Sequence, residues 1–266
     1  GQFASALDDD MQYKIWPTTG GEPIYTAESG WVIVGLNADA SLAVLKKDQD
    51  PTARLVDTNT NRLVAELDVG PWLPFATFSP DGRYLIGSTD ETPDAFRVFD
   101  TSDGSLVAQF GGETNEYAGL WVRFVPTGDT VVVTTPRGDV IIFDFLAILN
   151  GAATEDAITR IINAHDSFVF EPAISPDGTM LATNAQGEPA RVWDIATGRF
   201  LDEVGTGGSK AVAFDPIKPW LYVGEGNTIT AHTLDIDALV ALGRSTLTRD
   251  MTAEECQQYL HGHCDS

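Results

Sequence analysis

The chain has 266 residues, of which 43% are hydrophobic and 21% charged, a balance that supports a buried core and argues against intrinsic disorder. Sixteen Lys and Arg stand against 39 Asp and Glu, and the formal charge of −23 repels nucleic acids and anionic membrane surfaces. The longest apolar stretches, 31–36 and 140–149, fall short of the roughly 20 residues a membrane helix needs, and two cysteines are too few for a disulfide-built scaffold. The sequence opens at Gly1 without an initiator Met or an apolar leader, so a signal peptide or an upstream domain is expected to have been cut away.

In chain order, one supersecondary unit recurs. K-I-W-P-T-T-G-G-E-P-I-Y (14–25) reads as the third and fourth strands of a first copy. The second copy spans 31–68, the third F-A-T-F-S-P-D-G and onward to 110, and the fourth begins W-V-R-F-V-P-T-G at 121. The fifth, F-E-P-A-I-S-P-D-G, covers 170–204, and the sixth, A-V-A-F-D-P, covers 211–235. Asp57, Asp100, Asp144, Asp194 and Asp235 recur at spacings of 43, 44, 50 and 41 residues, and Pro17 takes the place of Asp 40 residues before Asp57. A period of this size marks a repeat architecture. Within each copy, apolar runs of four to seven residues rich in Val, Ile, Phe and Thr are bounded by Gly, Pro and Asp, the signature of short strands.

The turns carry their own chemistry. In S-P-D-G (79–82 and 175–178), Pro presets φ for the second turn position and Gly accepts the left-handed one. In D-T-S-D-G-S (100–105) and D-I-A-T-G-R (194–199), Asp100 and Asp194 accept backbone N–H groups of a second turn. Asp57 plays the same part in D-T-N-T-N-R. The surplus in the longest spacing falls on F-L-A-I-L-N-G-A-A-T-E-D-A (145–157), which predicts a short helix at the rim that either packs on the C-terminal segment or offers an apolar contact.

S-P-D-G, then V-F-D (98–100) or V-W-D (192–194), then a T-G-like turn at a period near 42 residues, resemble WD40 repeats. The resemblance implies an all-β, WD40-type β-propeller with four-stranded blades around a central channel. About five to six blades are visible, belonging either to part of a larger ring or to an unusual six-bladed one, with a helical C-terminal cap. His165 stands where the family has its Gly-His, which implies a buried hydrogen-bond network with Trp193. The loop N-A-Q-G-E-P (184–189) departs from the family in lacking the Asp that usually completes this network.

Residues 1–235 are read as the propeller and 236–266 as the cap. That tail resembles the cap of WD40 regions in bacterial multidomain regulators, including nucleotide-binding signalling ATPases and transcriptional activators. Leu239 and Leu242 suit a first short helix, and Thr252 with Glu255 forms the capping box of a second. Cys256 and Cys264 are candidates for a disulfide. The C-x4-H-x-H-C cluster they form with His261 and His263 is too tight for good tetrahedral zinc geometry.

Candidate chemistry elsewhere is thin. His165-Asp166-Ser167 holds the residue types of a triad, but neighbours on one loop rarely converge as a triad requires. Asp57, Asn59, Asn61 and Asp68 imitate a calcium loop, with Arg62 where that loop demands Gly. The sequence therefore predicts no enzyme, no cofactor and no metal site. The resemblance implies a protein-interaction or sensory scaffold, the regulatory C-terminal propeller of a larger bacterial signalling protein, expected in the cytoplasm, or outside it if Cys256 and Cys264 are bonded. The competing class is a propeller hydrolase or lactonase with a metal in its channel, which would need several acids and His residues there; the chain has four His. By the same resemblance, the residue seven before the Ser of S-P-D-G lies at the channel entrance. Trp72 and Phe168 stand at that position, with Tyr117 in the equivalent loop, and such aromatics are typical anchors of binding hot spots. The expected partner is a protein or peptide, basic in view of the acidic charge, with neither nucleic acid nor membrane.

Overall fold

Short apolar runs separated by Asp-, Gly- and Pro-bearing turns fold into six antiparallel sheets, each a simple meander, arranged as a six-bladed β-propeller. The structure, a computed structural model, describes residues 3–8, 12–70, 75–89, 95–111 and 121–235. Blade 1 comprises β1 (Phe3–Leu7), β2 (Tyr13–Pro17) and β3 (Tyr25–Thr26). Blade 2 comprises β4 (Trp31–Leu36), β5 (Leu42–Lys47), β6 (Thr52–Asp57) and β7 (Arg62–Asp68). Blade 3 follows with β8 (Ala76–Phe78), β9 (Tyr84–Ser88), β10 (Phe96–Asp100) and β11 (Leu106–Phe110). Blade 4 holds β12 (Trp121–Phe124), β13 (Thr130–Thr134), β14 (Asp139–Asp144), the helices α1 (Phe145–Leu149) and α2 (Thr154–Ala157), and β15 (Ile158–Asn163). Blade 5 has β16 (Ala173–Ile174), β17 (Met180–Thr183), β18 (Ala190–Asp194) and β19 (Phe200–Val204). Blade 6 has β20 (Ser209–Phe214), β21 (Trp220–Glu225) and β22 (Thr228–Thr233).

The burial pattern runs radially. Second and third strands such as β9, β10 and β13 are buried on both faces, whereas the outer strands β7, β11 and β19 are mostly exposed. Two-sided burial explains why the middle runs read as continuous apolar segments and the outer ones do not. Five hydrophobic clusters fill the five successive seams from blade 1–2 to blade 5–6. The third and fourth strands of all four-stranded blades slip register at one equivalent place, just before the anchor Asp, for example at Val98/Phe99 and Val192/Trp193. A bulge repeated at this position twists each outer strand alike.

Two features differ from the sequence reading. Among the described residues blade 1 has three strands, because Phe3–Leu7 pairs along the full length of Tyr13–Pro17. The run was too short and too small-residued, F-A-S-A-L, to stand out. The 145–157 insertion forms two helices, and their apolar side is committed to blade 3. Phe145 and Ile148 are buried among Phe96, Phe110, Phe124 and Phe143, and the Thr154 hydroxyl donates to Gly111 O at 3.2 Å.

Candidate functional site

The meander sends the first-to-second and third-to-fourth strand connections to one end of the propeller, here called the bottom, and the other connections to the top. The bottom is built by short-range chemistry. In S-P-D-G of blade 3, Ser79 Oγ donates to Asp81 Oδ1 at 2.5 Å, Gly82 N–H to Ser79 O at 2.8 Å and Tyr84 N–H to Ser79 Oγ at 2.9 Å. Blade 5 repeats this with Ser175, Asp177, Gly178 and Met180. Asp57, Asp100 and Asp194 each take a backbone N–H two or three residues on, at 2.8–2.9 Å. These bonds hold the carboxyls below the ordinary Asp range: from Thr60 for Asp57, from Ser102 for Asp100 and from Thr197 for Asp194. Among the described residues no group of three or more His, Cys, Asp or Glu is placed to hold a metal ion.

The top is built by contacts between distant segments. His165 is buried, and its Nδ1 lies 3.1 Å from Glu188 Oε2 while its Nε2 lies 2.9 Å from Thr183 Oγ1. An ionised carboxylate only accepts, so Nδ1 carries the proton and Nε2 accepts from the Thr183 hydroxyl. That hydroxyl oxygen in turn accepts the indole N–H of Trp193 at 2.9 Å. Within the 184–189 loop, which has no Asp, Glu188 is thus the carboxylate that meets His165. Glu188 also receives the Ser167 hydroxyl at 2.9 Å and the Asp166 N–H at 3.1 Å. Ser167 and His165 therefore both turn to Glu188, and the side-by-side triad residue types form a structural knot that ties the connection into blade 5 to its own sheet. Burial pulls the His165 pKa below its ordinary value, against the opposing pull of Glu188. For Glu188, burial pushes upward but the bonds from Ser167 and His165 outweigh it, and its pKa lies below the usual range.

At the top, aromatic rings pair in the segments that lead into inner strands. Phe168 is half-buried and meets Phe170 edge-to-face at 5.3 Å between centroids. Phe75 stacks on Trp121 at 3.5 Å, at the heads of neighbouring inner strands. Trp72 and Tyr117, which the sequence places in the connections leading to these two residues, lie outside the described residues, as do Cys256, Cys264 and the whole of 236–266. The sequence reading missed Phe75, Trp121 and Phe170, although the signal was present: each is the first residue of its repeat copy. The inner strands β12, β16 and β20 line a cavity of about 410 Å³. Arg123 and Glu171 form an ion pair across its wall between blades 4 and 5, and burial pulls the Arg123 pKa downward.

A second set of missed residues locks the seams. Three positions before the anchor Asp, the third strands of blades 2, 3 and 5 carry Arg54, Arg97 and Arg191. Arg97 donates to Asp68 O at 2.8 Å and Arg191 to Ala164 O at 2.6 Å, each reaching the end of the preceding blade's outer strand. Arg54 lies over Trp31 at 4.2 Å and pairs with Glu28. These three arginines lie toward the top, whereas Arg62, Arg83, Arg199 and Lys218 flank the bottom turns. Among the described residues no helix is long and apolar enough to cross a membrane. No protein-family model matches the chain.

Proposed function

We propose that the propeller is a non-catalytic interaction scaffold whose top rim receives a polypeptide segment across the channel mouth. The observation that carries this reading is two ring pairs, Phe75 with Trp121 and Phe168 with Phe170, partly exposed and leading into inner strands at the top. Rings of this kind offer large contact area at low entropic cost. Trp72 and Tyr117, in the sequence connections that lead to Phe75 and Trp121, are proposed as further contacts of the same partner. With a net charge of −23 the favoured partner is basic, and its association is steered electrostatically. The resemblance of repeats and tail to WD40 regions supports a setting in a larger cytoplasmic bacterial regulator.

The test is a selection of displayed peptides on the full chain, followed by titration of the winners. Lys- and Arg-rich peptides should be enriched, with on-rates that fall as salt rises. Trp121→Ala, Phe168→Ala and Trp72→Ala should each weaken binding about thirtyfold where the ring is a hot spot. Selected peptides that bind all three variants as tightly as the parent would place the binding surface elsewhere.

A further inference from the structure

Blade 4 contains a docking device that blade 6 repeats in sequence. At the end of β14, Asp144 caps α1 by accepting Ala147 N–H at 3.0 Å. The first and fourth residues after it, Phe145 and Ile148, are each 2% exposed in the seam with blade 3. The Phe145 ring sits edge-on between Tyr84 at 5.5 Å and Phe124 at 4.8 Å, whereas Leu146, pointing outward, is 57% exposed. At the end of blade 6 the chain reads D-I-D-A-L-V-A-L-G (235–243) against D-F-L-A-I-L-N-G (144–151). Both have Asp, an apolar residue one further on, Ala at three, apolar residues at four and five, and a closing Gly. The buried positions of α1 are matched by Ile236 and Leu239, and its exposed Leu146 by the charged Asp237. The third-to-fourth strand connections of blades 2, 3 and 5 show no such pattern.

The receiving surface is repeated as well. Equivalent hairpin bonds place Met180 where blade 3 has Tyr84, since Ser175 N–H donates to Met180 O as Ser79 N–H does to Tyr84 O. They place Phe214 where blade 4 has Phe124. Phe200 and Leu201 stand on β19 where β11 has Leu106 and Val107, six and seven residues after the anchor Asp. At this site the blade 5–6 seam has two cavities of about 330 and 260 Å³, which share Met180 and Leu234. Phe200 lines the larger and Phe214 the smaller, and Phe200 is 48% exposed. Leu234 is followed directly by Asp235 and the 236–243 segment, so the chain leaves β22 at the mouth of both cavities.

We propose that residues 236–243 are the blade 6 counterpart of α1 and dock in the blade 5–6 seam, with Ile236 between Met180 and Phe214 and Leu239 against Phe200 and Leu201. The segment then supplies the side chains that Phe145 and Ile148 supply one repeat pair earlier. Photo-crosslinking on the full chain tests this, with Leu239→p-benzoylphenylalanine as the probe and peptide mapping by mass spectrometry. The expected product is an intramolecular crosslink to Met180 or to 200–201. Crosslinks to another segment, crosslinks only between two copies, or none at all overturn the proposal. Hydrogen exchange gives a second readout: Leu239→Asp should speed exchange of the 200–204 amides at least tenfold and leave 106–110 unchanged. Equal protection in variant and parent would also refute the docking.

Discussion

The two ends of the propeller are assembled by different rules. At the bottom, an Asp in each hairpin turn (Asp39, Asp81, Asp129, Asp177, Asp215) is satisfied by residues within a few positions of itself. At the top, Glu188 gathers His165, Asp166 and Ser167 from more than 20 residues away, and Phe75 and Trp121 meet from separate blades. A locally satisfied end can vary one turn at a time. An end built from distant segments is coupled, so its residues should respond together and more strongly. The coupled end is also where a binding surface gains most from being held in one geometry.

The largest effect that would sharpen this contrast is expected at a pair of glycines. Gly138, at the top of blade 4, has φ +99° and a Cβ there would stand 2.0 Å from His165 O. Gly82, at the bottom, has φ +73° with nothing nearer than Asn37 Nδ2 at 4.0 Å. Gly138→Ala should cost about 4 kcal/mol, combining backbone strain with a clash that moves the His165 segment. Gly82→Ala should cost about 1 kcal/mol, from backbone strain alone. Chemical denaturation of both variants measures the gap, and equal losses would break the contrast.

Next in size is the buried relay. Thr183→Val conserves shape while leaving the Trp193 indole N–H and the His165 ring nitrogen unpaired, at a cost of about 2 kcal/mol. A double-mutant cycle with Glu188→Gln should show coupling, because both changes act on the same imidazole. Strict additivity would mean that the relay is a set of independent contacts.

How much of this was legible follows the same division. The strands and bottom turns could be read because Ser79, Pro80 and Gly82, or Asp194 and Gly198, act within a handful of residues. The anchor spacing showed the repeat copies for the same reason, but left open whether they form part of a larger ring or a six-bladed one. Glu188 was not legible as the partner of His165, because whether a Glu 23 positions away can reach depends on how a loop folds back. Phe75 and Trp121 were not legible as a pair because the stacking partner of each lies in an adjacent blade. The insertion was visible as surplus length, but its docking on β11 is a contact across a seam.

Acid should act on the two ends at different pH. The folded pKa of His165 is pulled below its ordinary 6.5 by burial, with Glu188 and Arg191 the charged groups facing it. Its contribution is thus fully present above that value and is lost as pH falls below it. The bottom carboxyls, held below 3.8, lose theirs only in stronger acid. A melting-temperature profile should decline first between roughly pH 7 and 5. His165→Gln should remove that first decline and keep the acid one. A variant whose profile overlays the parent's would show that the imidazole is not the titrating group.

The smallest effect is expected at the bottom, where it separates a turn from a metal site. Asp57, Asn59 and Asn61 imitate calcium ligands in sequence, yet Asp57 Oδ1 is occupied by the N–H groups of Asn59 and Thr60, both at 2.9 Å. Asp194 binds Thr197 through both N–H and hydroxyl in the same register. A carboxylate that closes a turn this way stabilises the fold through neighbouring donors and gains nothing from a cation. It is also solvent-facing, so water replaces much of what is lost on substitution. Asp194→Ala and Asp57→Ala should therefore lower the melting temperature by a few degrees at most, equally in calcium and in chelator. A calcium-dependent stabilisation of the parent that disappears in Asp57→Ala would reassign that turn as a ligand loop. It would also undo the claim that the bottom is satisfied by its own chain, since one of its carboxylates would then be waiting for a partner from solution.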